Sequence, residues 1–595
     1  PLGAYGLYYD TLAHCWFDLG NEKDNYHPAF RALRASDGEL DYYFSWAPTV
    51  LEIVKRHHWL TGGTAFMPRW GLAYSGSTMA YTDSENAQER LEGFLAKLAE
   101  EDMPCDSFQM SSGYTAIKEK RYVFHWNTDR FPNVSGFTKA YADANINLIA
   151  NIKPVLLEDH PLFLEAEKAG LFIKDSETGA PEQSPFWDGT GSHLDFTNPA
   201  TIAWWQKNLK EKLFDKGISS TWNDNNEYEV WDDEAICTGF GKEIPVGLIR
   251  PLHSQLMTRA SYDAQVTDQP AKRPYLISRC AAPGTQRYAQ TWTGDNYTSW
   301  DTLRWNIPMG LGLSLSGFYN IGHDVGGFAG PKPEPELFLR WVQNGIFHPR
   351  FTIHSWNDDG TANEAWMYPK ITPLIRKALK FRAQLIPYLY TLLYRAVTDG
   401  EPMLRPLWLD FPEDQLAQAS EFEFLLGTDL LVATVIEKGA QSRSVPLPAC
   451  TEGWWDFEGT TWYPGGQMLD VPVTQDTIPL FVRGGTVLPM AGPNARSTAQ
   501  TDKTRTWRIY PQDPDAPARE NRAYDDDGVS ANALVSDHCL TRMTLSRNST
   551  TVMLNWHMSG TYKPAYDQVD LWLAGSSPLV VNGAPTSTET PLFFV

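Results

Sequence analysis

Between residues 63 and 400 short apolar runs alternate with helical patterns, and this alternation constrains the chain more than any other feature. "SENAQERLEGFLAKLAEED" sets Leu91, Phe94, Leu95 and Leu98 at i, i+3, i+4, i+7 spacing behind Asp83 and Ser84 as cap candidates, which predicts an amphipathic helix. "NLIANIKPVLL" is a continuous apolar run of the kind buried in a parallel sheet. Helix patterns ("NPATIAWWQKNLKEKLF", "PELFLRWVQNGI") and strand patterns ("ISSTWNDNN", "RPYLISR", "RYAQTWTGDN", "GFYNIGHD", "FHPRFTIHS") follow in turn, and eight strand candidates are counted from "RWGLAYS". The prediction is an α/β fold, a (β/α)8 TIM barrel over 63–400, with an open doubly wound sheet as the alternative. No GxGxxG or GxxxxGK[ST] stands at a strand–helix turn, which argues against the nucleotide-binding versions.

The flanks read differently. Residues 1–62 are strands and turns ("AYGLYYD", "LDYYFSWAP"). Beyond 400 strands with Pro/Gly turns return, giving β modules over 401–492 and 493–595 joined at the polar "GPNARSTAQTDK". A formal charge of −22 with no Lys/Arg-rich run excludes nucleic acid and disfavours an acidic membrane surface. No apolar run reaches the ~18 residues of a membrane span. The cysteines (Cys15, Cys105, Cys237, Cys280, Cys450, Cys539) lie far apart without a CxxC pair, so neither a disulfide framework nor a metal site is expected, and a reducing, cytoplasmic compartment is. The opening lacks an initiator Met and a signal pattern, and reads as the start of a fragment; a periplasmic or secreted location therefore stays open.

In a barrel, side chains at the C-terminal strand ends form the active site. Asp224 ends "STWND", Asp295 "TWTGD", Asp324 "NIGHD", His354 "FTIH" and Arg279 "LISR", with Arg287 near the start of the next strand. Taken singly, each Asp serves equally well as a helix cap, and His354 as a core histidine. The acidic run "WNDNNEYEVW" has Glu229 where a calcium loop requires Gly, and its flanking Trp222 and Trp231 argue against a solvated loop. "YDDDGVS" reads as a hairpin turn. No GxSxG supports a Ser nucleophile. Two carboxylates on different strands are what glycosidic cleavage requires, one protonating the leaving oxygen and one attacking the anomeric carbon or activating water. Trp residues set beside carboxylates suit a sugar, with its apolar faces and hydroxyl rim.

Several motifs together resemble glycoside hydrolase family 31, the α-glucosidase and α-xylosidase family. "WNDNNE" is similar to its nucleophile segment, "RYAQTWTGDN" to its acid/base segment, and "GHDVGGF" and "FHPRFTIH" to its seventh and eighth strand segments. "FWDGTGSHLDFTNP" is similar to a loop of the family and "IPLFVRGGTVLP" to its post-barrel module. The similarity runs from "GAYGLYYD", like the end of an N-terminal β-sandwich, to about residue 530.

The resemblance implies a retaining, cofactor-free α-glycosidase that removes a terminal sugar, with Asp224 as nucleophile and Asp295 as acid/base. Arg287, Asp324 and His354 would hold sugar hydroxyls, and Trp187, Trp222, Trp292 and Phe328 would wall the pocket. An oligosaccharide or α-glycoside is the implied partner, and a homo-oligomer is left open. Two departures touch the sugar: Ser111 and Gly113 stand where many α-glucosidases of the family carry an Asp-x-Asp pair, and Asn225 where Met is common. α-Glucose is the leading substrate; α-galactose, α-xylose, a modified sugar, transglycosylation and an inactive sugar-binding protein are the alternatives.

Overall fold

The computed structural model describes residues 3–595 except 24, 187, 499–502, 587, 589–591 and 594–595. Eight parallel strand segments close a barrel: β1 (Tyr74–Ser77), β2 (Ser107–Met110), β3 (Asn147–Ile152), β4 (Ser220–Asn223), β5 (Leu276–Ser278), β6 (Gln290–Trp292), β7 and β8 (Phe351–Ile353). β7 comes in two pieces: Ile321–Gly322 pairs with β6, Asp324–Val325 pairs with β8, and His323 interrupts them. β8 then pairs with β1 and completes the ring. The strands are short and buried, as parallel strands covered on both faces must be. Met67, Ile149, Trp222, Tyr275, Ile277 and Trp292 fill the barrel interior.

Helices follow the strands: α1 (Ala87–Glu100), α2 (Val134–Asp143), α3 (Pro199–Lys212), α4 (Arg250–Asp268), α5 (Trp300–Leu315), α6 (Pro335–Gly345) and α7 (Thr372–Asp399). The link from β5 to β6 holds only one 3-10 turn, Thr285–Arg287, so among the described residues the repeat is one helix short of ideal. α1 buries Leu91, Phe94 and Leu98 as its spacing predicts. Its N-cap position is Asn86, not Asp83 or Ser84: Ser84 donates to the Asn86 side chain, and Asp83 is drawn off by Arg121.

α6 has an amphipathic sequence but no wet face: every residue from Leu337 to Gly345 is buried. The outer face of α6 is covered by the module that follows the barrel: Arg340 donates to the carbonyls of Thr474 and Thr477, and Gln343 to that of Gln475. On α7, Arg382 is buried without a carboxylate partner among the described residues and donates to the carbonyls of Leu72, Ile346, His348 and Pro349. It thereby ties α7 to the entries of β1 and β8.

Before the barrel, Ala4–Tyr9 pairs with Tyr42–Ala47 and Cys15–Leu19 with Arg31–Ala35, leaving Tyr5, Trp16, Phe17, Phe44 and Trp46 exposed. Beyond it, a six-stranded antiparallel sheet (404–483) precedes a four-stranded and a five-stranded sheet. Thr486–Ala491 pairs with Thr504–Tyr510 and so belongs to the last unit by pairing. "YDDDGVS" is not a tight hairpin: Arg519–Asp525 pairs with Cys539–Arg547 around a long loop. That loop docks on the barrel's N-terminal end, where buried Asp526 meets Arg273 at 3.2 Å and accepts from Tyr390 at 2.6 Å. Among the described residues no helix is long and apolar enough to cross a membrane.

Candidate active site

The polar residues expected at strand ends do converge. Asp224 follows β4 directly, its backbone N–H tied to the carbonyl of Ile152 at 2.9 Å, and its side chain is buried. Asn151 Nδ2 donates to Asp224 Oδ2 at 3.0 Å and Lys153 Nζ to the same oxygen at 2.7 Å. Arg279 Nη1 stands 3.2 Å from Asp224 Oδ1. Burial alone would raise the Asp224 pKa, but the Lys153 ammonium and the Arg279 guanidinium outweigh it and hold the carboxyl far below the ordinary carboxylate range. Burial in turn pulls the Lys153 ammonium below its usual value.

Asp295, three residues past β6, has a side chain 51% exposed, and its Oδ2 lies 3.6 Å from the same Arg279 Nη1. Its pKa moves the other way, raised first by partial burial and then by the charge of Asp224, against the pull of Arg279. One guanidinium nitrogen thus reaches an oxygen of each carboxyl, so both carboxyls face the same space at the rim.

Arg279 is itself fixed. Glu227 accepts from its Nε at 2.6 Å and its Nη2 at 2.9 Å, and Asn226 staples the β4 loop to the β5 loop through Ser278 Oγ and the N–H of Cys280. Arg287, expected to hold a sugar hydroxyl, is turned away from Asp224. It is exposed, its Nε donates to the carbonyl of Gly284, and its guanidinium lies over Tyr288. The tight 3-10 turn that ends at Arg287 directs it outward, and the arginine that reaches Asp224 and Asp295 is Arg279.

Asp324 and His354 are buried at the same rim. Arg350 contacts Asp324 Oδ1 at 3.2 Å and 3.3 Å, while among the described residues Asp324 Oδ2 and His354 Nδ1 have no hydrogen-bond partner. Burial, only partly offset by Arg350, pushes Asp324 up to about 7, and burial takes His354 down to about 3, so the imidazole is neutral. Trp222 packs edge-on against His354 at 5.2 Å and Trp292 at 5.7 Å, and Phe328 lies 4.9 Å from His354. Asn296 positions Phe328 by accepting from its N–H and donating to the carbonyl of Asp324. Trp187 lies outside the described residues. Trp231, whose place beside the acidic run argues in sequence against a solvated loop, is 78% exposed, so of the two flanking tryptophans only Trp222 is buried.

Ser111 is buried just past β2, its hydroxyl without a hydrogen-bond partner among the described residues. Gly113 is explained by a neighbour: a Cβ there would stand 2.3 Å from Asp83 Oδ1. Asp83, from the β1 loop, thus packs on Gly113 of the β2 loop, and Arg121 holds it by contacts of 3.1 Å to both oxygens. Asn225 adopts φ +47°, a left-handed conformation that Asn tolerates, and its Oδ1 accepts from Lys153. Ser112, Thr115, Arg121, Asn151, Lys153 and Asn225 line a recess beside Asp224. A larger cavity, lined by Arg69, Arg273, Tyr390 and Asp526, lies at the opposite end of the barrel and shares none of these residues.

Reasoning from sequence named both carboxyls but missed Lys153, Asn151, Glu227 and Asp83. Lys153 carried a signal: a lone cation inside the apolar "NIKPV" run at a strand end.

A closed parallel barrel with an unequal carboxyl pair at its C-terminal rim has the architecture of a barrel glycosidase. Residues 64–392 match the glycosyl hydrolases family 31 TIM-barrel domain and residues 400–488 the family 31 C-terminal domain. The chain belongs to glycosyl hydrolase family 31. It is 32% identical over 542 residues to a probable glucan 1,3-alpha-glucosidase of Arabidopsis thaliana, covering 89% of this chain and 57% of that protein. To neutral alpha-glucosidase AB of Mus musculus it is 33% identical over 467 residues, covering 76% of this chain and 48% of that one. The chain thus spans about half the length of these relatives. Among solved structures, a GH31 dextranase of Flavobacterium johnsoniae complexed with glucose superposes with a TM-score of 0.87 at 26% identity, over 96% of this chain and 71% of that one.

Proposed function

We propose that the chain is a retaining α-glycoside hydrolase that releases a terminal α-linked glucose. The observation that carries this reading is the single Arg279 nitrogen shared by Asp224 and Asp295, two carboxyls whose surroundings drive their protonation in opposite directions. Asp224, kept ionised, attacks the anomeric carbon while Asp295 gives its proton to the departing glycosidic oxygen. The C–O bond breaks, and a covalent glycosyl–Asp224 ester forms. Asp295, now a carboxylate, takes a proton from water as that water attacks the same carbon, and Asp224 leaves as carboxylate. Asp324 and His354 offer hydrogen bonds to hydroxyls of the bound sugar; Trp222, Trp292 and Phe328 wall it. Ser111 and Asn225 face the part of the pocket that reads the sugar, with Asp83 and Lys153 beside them. The glucose assignment is supported by the names of the relatives.

The test is a panel of nitrophenyl α-glycosides. Asp224→Ala abolishes turnover, and Asp295→Ala fails most on poor leaving groups and is partly rescued by azide on activated ones. Near-normal rates in Asp224→Ala would overturn the assignment of the nucleophile, and an inverted first product would overturn the mechanism.

A further inference from the structure

Away from the carboxyl pair, three metal-ligating side chains from separate segments meet in the interior. Asp195 precedes α3, Cys237 lies in the loop after β4, and His253 is in the first turn of α4. All three are buried, and one ligating atom of each lies within 4.8 Å of the others. Cys237 Sγ and His253 Nε2 are 3.3 Å apart.

Two observations set this cluster apart from an ordinary polar contact. Asp195 is fully buried, yet among the described residues no Lys or Arg forms an ion pair with it; an uncompensated buried carboxylate is costly. Its Oδ1 accepts from both the N–H and the hydroxyl of Thr197, whereas Oδ2 accepts only from the N–H of Thr238 and retains a lone pair. The second is that His253 is fully buried, its Nε2 turned to Cys237 Sγ, and among the described residues its Nδ1 has no hydrogen-bond partner. A cation among Oδ2, Sγ and Nε2 would supply the missing charge and take the thiolate and the neutral imidazole as ligands.

We propose that Asp195, Cys237 and His253 form a binding site for a divalent transition metal of zinc type. Thiolate, imidazole and carboxylate are the donor set that zinc accepts, and three protein ligands leave one position of a tetrahedron for water. Binding releases the thiol proton, so affinity rises with pH. Buried and separate from the Asp224 rim, the site pins the loop between β4 and α4, which carries Asp224, Asn225 and Glu227, to the entry of α3.

The experiment uses the full chain without a histidine tag, loaded with zinc chloride and then desalted. The expected result is about one zinc per chain by elemental analysis, a rise in Tm over the chelator-treated protein, and no such rise in Cys237→Ser. Loading with cobalt(II) in place of zinc gives a thiolate-to-cobalt charge-transfer band that His253→Gln weakens and Cys237→Ser removes. Should the Cys237→Ser protein fail to fold, the wild-type measurements still decide: no retained zinc and no cobalt–thiolate band would overturn the site. Zinc retained undiminished in a folded Cys237→Ser protein would overturn it as well.

Discussion

Lys153→Met isolates the electrostatic design of the site. The ammonium lies 2.7 Å from Asp224 Oδ2, and both side chains are largely buried. At an effective dielectric of about 20, two unit charges at such a distance attract by roughly 6 kcal/mol, which is an upper bound. A charge-assisted hydrogen bond contributes about 1.5–3 kcal/mol net, and at about 1.4 kcal/mol per pKa unit this corresponds to about 1–2 units. Asp224 is depressed in the folded protein, and it works only when ionised. Removing the cation therefore raises its pKa, and the acid limb of kcat/KM moves to higher pH by about 1–2 units. At pH 7 Asp224 stays ionised, so any loss there measures positioning and not charge. The assay is a pH–rate profile on an aryl α-glucoside, with short exposures at the acid end and circular dichroism to exclude unfolding. An acid limb that superposes on that of the wild-type enzyme would refute the reasoning.

Arg279→Gln removes a cation that lowers both carboxyls, so the basic limb, set by Asp295, moves to higher pH, and kcat falls by about 10²–10³-fold; a pH profile at saturating substrate reads both. Arg287→Ala leaves kcat/KM within about twofold of wild type, because its side chain packs on its own turn, Tyr288 and Gly62, away from Asp224; a loss comparable to that of Arg279→Gln would contradict the geometry. Gly113→Ala drives a methyl group into Asp83 and the Thr82 carbonyl; a cost of about 1–3 kcal/mol is expected for such overpacking, seen as a lower Tm and a higher KM, since Asp83 is displaced from Arg121. Asn225→Met places a long side chain at φ +47°, where most residues are strained, and lowers Tm as well as changing the preference within the glycoside panel.

The barrel was legible because its strands are short apolar runs punctuated by polar residues, and those punctuation marks are the site. Asp224, Asp295, Asp324 and His354 each follow or end a strand, so linear order sufficed to find them. What linear order could not separate was Arg279 from Arg287. Both flank the same link, and only the 3-10 turn at Thr285–Arg287 decides which guanidinium faces inward. Lys153 was passed over because a lysine at a strand end usually reaches solvent, whereas this one is drawn into the pocket by Asp224 and Asn225. Asp83 was read as a helix cap for a similar reason. Its contact with Gly113 joins the β1 and β2 loops, and no spacing rule encodes it.

The burial of α6 on every side bears on how this polypeptide comes to be made. A helix without a wet face is finished only when residues 474–477 have been synthesised and have covered Arg340 and Gln343. Until then Arg340 and Gln343 wait for carbonyls on chain that has not yet left the ribosome. The apolar core also runs on from Leu379 and Leu389 of α7 into Phe424, Leu426 and Val432 of the next module, so the catalytic unit that can be moved between genes is barrel and following module together.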